Sequence, residues 1–138
     1  MIIIDASVAV KWLIPGEQQE SQAFTLMDNH VTNKQQIIVP DLFFYELGNT
    51  LATKTSFPGD KILSSLNKIY SLNLVIKHLD PKLTIKAAQL AKKYETSVYD
   101  MLYAVVAKRN KCKLVTADRK FIEKTKFTHV VHISEYAS

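Results

Sequence analysis

Apolar residues recur along the chain in two rhythms. Short unbroken runs, Ile2-Ile3-Ile4, Ile37-Ile38-Val39, Leu74-Val75-Ile76, Leu114-Val115-Thr116 and Val130-Val131-His132, read as strands, the first two as strands buried on both faces. Between them apolar positions return at helical spacing. Ala6 to Ile14 predicts a short helix stopped by Pro15-Gly16, and Glu20 to about His30 a second. Asp41 is placed to cap a helix to about Lys54, in which Phe43, Leu47 and Leu51 form an i, i+4, i+8 stripe. After a turn from Thr55 to Gly59, Asp60 starts a helix reaching about Tyr70. Asp80-Pro81 joins an N-cap to a proline at the first helical position, and Leu83, Ala87, Leu90, Ala91 and Tyr94 line one face of the helix that follows. Ser97 opens a helix from Val98 to about Lys108, and a short one covers Arg119 to Lys124.

Strands alternating with helices predict a parallel sheet covered on both faces, a doubly wound α/β sandwich in a single domain spanning residues 1–138. The tandem helices between the second and third strands are expected to form a hairpin standing off that sheet. Folds of this class bind ligands at the carboxyl ends of the strands, near the point where strand order reverses. Fold alone does not give function.

Composition narrows the classes without choosing one. The 138 residues are 47% apolar and 22% charged, an ordinary globular mix. The single Cys112 excludes an internal disulfide framework and reads as a small core or surface thiol. The longest apolar run, Met101 to Ala107, is far short of the roughly twenty residues of a membrane span. No basic segment precedes the apolar start Met1-Ile-Ile-Ile-Asp5, so a cytoplasmic protein is expected. Gly16, Gly48 and Gly59 are scattered, which removes Gly-rich phosphate loops and dinucleotide fingerprints. His30, His78, His129 and His132 have no metal-ligand spacing and are expected at surface or strand-edge positions.

The acids carry more. Asp5 follows the first strand, and Asp118 stands two residues after Thr116 at the end of the fourth. Neighbouring strands there would hang both carboxylates over one crevice, although a turn residue and a helix N-cap account for each alone. Glu46 and Asp100 are the lone charges in Leu42–Leu47 and Val98–Tyr103, apolar helical stretches, and each needs a cation, a metal or solvent. Asn49 lies one turn beyond Glu46 on the same face. Four carboxylates roughly 5–6 Å apart would repel by about 15–20 kcal/mol in total at an effective dielectric near 20. That exceeds the ~5–15 kcal/mol net stability of a typical domain, so such a cluster must hold cations or protons. All-oxygen donors select Mg²⁺ or Mn²⁺ over zinc.

At these residues the sequence resembles PIN-domain ribonucleases of the VapC toxin type. The matching segments are Ile3-Ile-Asp5-Ala-Ser7-Val with Lys11-Trp12, Pro40 to Asn49 around Glu46, Val98 to Ala104 around Asp100, and Leu114 to Phe121 around Asp118. They follow in the family's order and span nearly the whole chain. The resemblance implies a three-layer α/β/α sandwich with a central, mostly parallel five-stranded sheet and a helical hairpin extension. It implies that Asp5, Glu46, Asp100 and Asp118 form a catalytic site for one or two Mg²⁺ or Mn²⁺ ions, supported by Ser7, Asn49 and Thr116. Trp12 matches a recurrent family position and is expected to be a packing anchor. Also implied are an RNA substrate, a cognate antitoxin and a homodimer.

Charge then acquires a place. Eighteen Lys and Arg against thirteen Asp and Glu give +5, and setting the four site acids aside leaves +9. Lys108, Arg109, Lys111, Lys113, Arg119 and Lys120, continued by Lys124 and Lys126, are expected to border the crevice and hold RNA phosphates; a solvated surface is the alternative. A phospho-receiver domain would want paired acids after the first strand and an Asp after the third; Asp5 stands alone, and Asp80 precedes a proline in a cap. An interaction module whose acids bind a partner's Arg or Lys, or a PIN nuclease of RNA processing outside any toxin pair, remains open.

Overall fold

The isoleucines of β1 (Ile2–Ile4) occupy the middle of a five-stranded sheet, in the computed structural model that describes residues 1–136. The last two residues of the expected 1–138 domain lie outside the described residues. β2 (Ile37–Pro40) pairs on one flank of β1 and β4 (Lys113–Thr116) on the other, with Ile3 opposite Ile38 and Leu114. β3 (Val75–Lys77) and β5 (Val130–His132) complete the order β3-β2-β1-β4-β5. All four pairings are parallel. β1 and β2 are buried throughout, as unbroken apolar runs require.

β3 departs from its expected form. Pairing starts one residue later than Leu74, and Ile76 is 42% exposed. The strand has a neighbour on one side only, so Leu74 packs into the core as a lead-in while the rest forms an open edge.

Among the described residues, helices cover both faces of the sheet: α1 (Ala6–Leu13), α2 (Glu20–Val31), α3 (Leu42–Thr53), α4 (Gly59–Ser71), α5 (Pro81–Tyr94), α6 (Val98–Arg109) and α7 (Arg119–Thr125). The hairpin of α3 and α4 forms as expected, but its arms differ. Phe43, Leu47 and Leu51 of α3 are fully buried, whereas Ser65 and Ile69 are the buried residues of α4. Trp12 is the expected anchor: its Nε1 donates to the Ala23 carbonyl at 2.7 Å, tying α1 to α2. The His30 ring accepts from the Ile37 amide at 3.0 Å and donates to the Leu72 carbonyl at 2.9 Å, joining α2, β2 and the end of α4. His132 at the end of β5 is buried, and no helix is long and apolar enough to cross a membrane among the described residues.

Two features position the site. The chain leaves β1 toward β2 and β3 on one flank, then crosses to β4 and β5 on the other, so strand order reverses between β1 and β4. α6 packs against β1, β2 and β4 and leads back to the start of β4, pointing its N-terminal turn toward the crevice at the reversal.

Candidate active site

Because Ile4 lies opposite Val115, Asp5 and Asp118 follow adjacent strands at the reversal. Asp5 caps α1. Its Oδ1 accepts from the Ser7 amide at 3.1 Å and from the Ser7 hydroxyl, and its Oδ2 accepts from the Thr116 hydroxyl at 2.5 Å. Neither hydroxyl is free to turn. The Ala117 amide donates to Ser7 Oγ and the Asp118 amide to Thr116 Oγ1, both at 3.0 Å, so each hydroxyl directs its proton at Asp5. The loop after β4 thereby fixes the carboxylate that follows β1.

Asp118 caps α7, its Oδ1 accepting from the Phe121 amide at 3.0 Å. The modest reading of both aspartates as helix caps holds, and it is compatible with a chemical role because a cap uses only part of a carboxylate's accepting capacity. Asp100 sits in the first turn of α6, where its amide donates to Ser97 Oγ at 3.0 Å. Glu46 reaches the site from α3, and its Oε1 accepts from the Tyr103 hydroxyl at 2.6 Å. Three of the four acids thus stand at helix N-termini, where partial positive charge favours carboxylates.

Electrostatics set this cluster apart. Burial raises Asp5 from 3.8 to about 6; the Ser7 and Thr116 bonds oppose the rise, and the charges of Asp100 and Glu46 add to it. Burial also raises Glu46, opposed by the Tyr103 bond and reinforced by Asp100. Asp100 is raised by burial, opposed by Ser97 and reinforced by Asp118. The ion pairs among the described residues are His78–Asp41, Arg109–Asp80 and Arg119–Glu135, and none includes a site acid. A structural salt bridge for Glu46 or Asp100 is therefore not what the fold provides.

Unpaired, partly buried oxygen donors that raise one another's pKa fit a hard divalent cation. The fit is one of donor chemistry and charge: among the described residues no three carboxylates converge closely enough to ligate one ion as they stand.

The PIN domain family matches residues 2–127, a stretch that holds all four acids. The chain belongs to the PIN-domain family. It is 28% identical over 127 residues to ribonuclease VapC3 of Pyrobaculum aerophilum, covering 89% of this chain and 93% of that protein. Its fold is similar to that of Mycobacterium tuberculosis VapC20, a sarcin-ricin loop cleaving toxin (TM-score 0.69, 13% identity, covering 91% of this chain and 95% of that one). It is also similar to a toxin–antitoxin complex from Klebsiella pneumoniae (TM-score 0.72, 13% identity, covering 99% and 100%). The resemblance read from the four acidic segments is borne out at the level of family and fold.

Within this PIN domain the basic segment divides. Lys120 and Lys124 line a cavity of about 210 Å³ together with Ser97, Asp100 and Asp118. Lys124 Nζ donates to the Glu95 carbonyl at 2.7 Å, closing one side. Arg119 turns away to the Ser134 hydroxyl at 3.1 Å. Lys108 and Arg109 lie about 12–14 Å along the α6 axis from Asp100, and Lys111 and Lys113 follow at the far end of β4. The expectation that the whole run borders the crevice fails for these four because α6 carries the chain away from it. Asn49 is exposed one turn after Glu46.

Tyr103 is the PIN domain residue that sequence reasoning passed over. It is 1% exposed, and its hydroxyl holds Glu46. A tyrosine three positions after Asp100 in an apolar helix needed a partner for its hydroxyl, which was the available signal.

Proposed function

We propose that this protein is an Mg²⁺- or Mn²⁺-dependent endoribonuclease selective for single-stranded RNA, and the toxin of a VapBC-type toxin–antitoxin pair. The observation that carries this reading is the set of four carboxylates at the strand reversal, without a cation partner among the described residues and with one of them pushed to about 6. Kinship with ribonuclease VapC3 supports the reaction class. Structural likeness to a toxin and to a toxin–antitoxin complex supports the biological role, with a small antitoxin and a second copy of the chain as partners.

Asp5 and Asp118 would be the principal metal anchors, with Asp100 completing the set. A bound divalent ion would lower the pKa of a water and neutralise charge on the scissile phosphate. The rest falls to the chain itself. Ser7 and Thr116 hold both Asp5 oxygens in place and favour the ionised form. Tyr103 fixes Glu46 through Oε1, leaving Oε2 to orient the attacking water and accept its proton. Lys120, at the rim, offsets charge on the RNA backbone. In-line displacement would leave a 5′-phosphate and a 3′-hydroxyl.

The test is incubation of purified protein with total RNA in Mn²⁺ or EDTA, with the cut ends mapped. Discrete 5′-phosphate ends in Mn²⁺ alone are expected. Equal cleavage in EDTA, or none with metal, would overturn the assignment. Co-purification with the product of an adjacent small reading frame tests the toxin role separately.

A further inference from the structure

The crevice occupies one end of α6, and the other end carries a surface that the proposed chemistry does not use. α5 packs against α6 with the first turn of α5 beside the last turn of α6, where Arg109 donates to Asp80 at 2.6 Å. Between the helices and the segment leading into β5 lies a groove of about 520 Å³. Lys82, Lys86, Lys108 and Arg109 line it, together with Tyr94, Phe127 and His129. Through Lys108 and His129 it continues into a second cavity of about 300 Å³ bounded by Lys111 and Lys113.

Two properties of this groove point to one kind of ligand. The first is charge. Among the described residues no acid lines either cavity, and the sequence has none from Pro81 to Tyr94 or from Met101 to Ala117. Asp80, the acid nearest the basic end, is already held by Arg109. Six cations thus share one surface with a single, already engaged counter-charge. The second is aromatic surface. Phe127 stacks on His129 with centroids 5.4 Å apart and an interplanar angle of 21°, and Tyr94 meets Phe127 edge-on at 5.0 Å. His129 donates to the Ala104 carbonyl at 2.8 Å; burial, with the charges of Lys108 and Lys113, holds its ring below the ordinary histidine value. It therefore adds a neutral flat ring at pH 7 rather than a seventh cation.

A neutral polypeptide segment would use the apolar floor of Leu90 and Val105 and leave most of the charge unanswered. Single-stranded RNA answers both, with a row of phosphates for the cations and bases for the rings. We infer that the α5–α6 groove is a second RNA site, which anchors the single-stranded flank of a substrate whose scissile phosphate lies in the crevice. This rests on the ribonuclease reading and extends it: the groove selects for long RNA by binding, without touching the reacting atoms.

The experiment uses the full chain and the double variant Lys86→Glu/Lys108→Glu, both exposed positions away from the acids. Cleavage is measured on fluorescein-labelled RNA of about four and about twenty nucleotides, and binding of the longer RNA in EDTA by anisotropy across a salt series. The variant is expected to raise KM for the long RNA roughly tenfold. It should also flatten the salt dependence by about 1.4 in log–log slope, the change expected when two single-strand phosphates are no longer neutralised. Its kcat, and its KM for the short RNA, should match the parent protein. Unchanged long-RNA KM and salt slope would overturn the second site and leave the groove to a protein segment; an equal loss on both lengths would overturn its remoteness. If the parent binds long RNA in EDTA and the variant does not, the groove stands even where cleavage fails. A parent that neither cuts nor binds RNA removes both readings.

Discussion

Asp5 and Asp80 do the same local job and live in opposite electrostatic surroundings. Each caps a helix, Asp5 through the Ser7 amide and Asp80 through the Leu83 amide at 2.8 Å. Asp80 is solvated and paired with Arg109, and its carboxyl is pulled below the ordinary value, first by the Leu83 amide and then by Arg109. Asp5 is enclosed, has acids for neighbours and is pushed up to about 6. A cap needs only an acceptor oxygen; nothing about capping requires burial beside Glu46 and Asp100. The difference leaves Asp5 ionised at a cost that capping alone does not explain, which is the feature the proposed metal site accounts for.

The sharpest way to break this contrast is to remove the charge and keep the cap. Asp5→Asn should reduce metal-dependent RNA cleavage on the order of a thousandfold, the loss of several kcal/mol of metal-derived stabilisation. Full activity in Asp5→Asn would sink the assignment.

Next in size is the pH dependence of stability. A folded pKa of about 6 against an unfolded value near 3.8 means that the native state binds more protons in between. Stability in EDTA should therefore fall as pH rises from about 4 to about 6, on the order of 3 kcal/mol from Asp5, and level off above. Urea titrations with and without Mn²⁺ at pH 7 should show the ion offsetting this loss, and Asp5→Asn should lack the slope. Asp80 behaves oppositely, contributing stability above its unfolded value and losing it only as pH drops through its depressed one.

Tyr103→Phe removes the hydroxyl that steadies the Glu46 carboxylate. A charge-assisted bond of about 1.5–3 kcal/mol is lost, so the acid limb of the pH–rate profile should move upward and activity below it fall roughly tenfold or more. A uniform loss at every pH would instead mean a packing role. Smallest of all, Asp80→Asn should leave cleavage of short RNA unaltered and shift Tm by about a degree at most, since exposed pairs contribute little.

Most of the fold is legible in the apolar runs. Ile2–Ile4 and Ile37–Val39 are too continuous for anything but strands buried on both faces, and they pair with each other at the centre of the sheet. The slip at Leu74 arose because a buried lead-in and an edge strand share one apolar run. Glu46 and Asp100 stood out for a different reason, a lone charge amid apolar helix, while Asp5 and Asp118 stood out by following strand ends. What the sequence left hidden depends on direction in space. Lys108 and Lys120 are close along the chain yet line different cavities, because α6 runs away from the crevice before β4 returns to it. Tyr103 was concealed by its company, one more ring in an apolar helix until Glu46 is seen at its hydroxyl.

On the proposed reading, the double duty of Asp5 and Asp118, cap and metal ligand, has a consequence for how such a gene decays. Asparagine caps a helix about as well as aspartate does, and a single nucleotide change converts one codon to the other. As a ribonuclease of that kind, the chain stands one step from a copy that folds yet cuts nothing. Drift would leave inert but folded copies rather than misfolded debris.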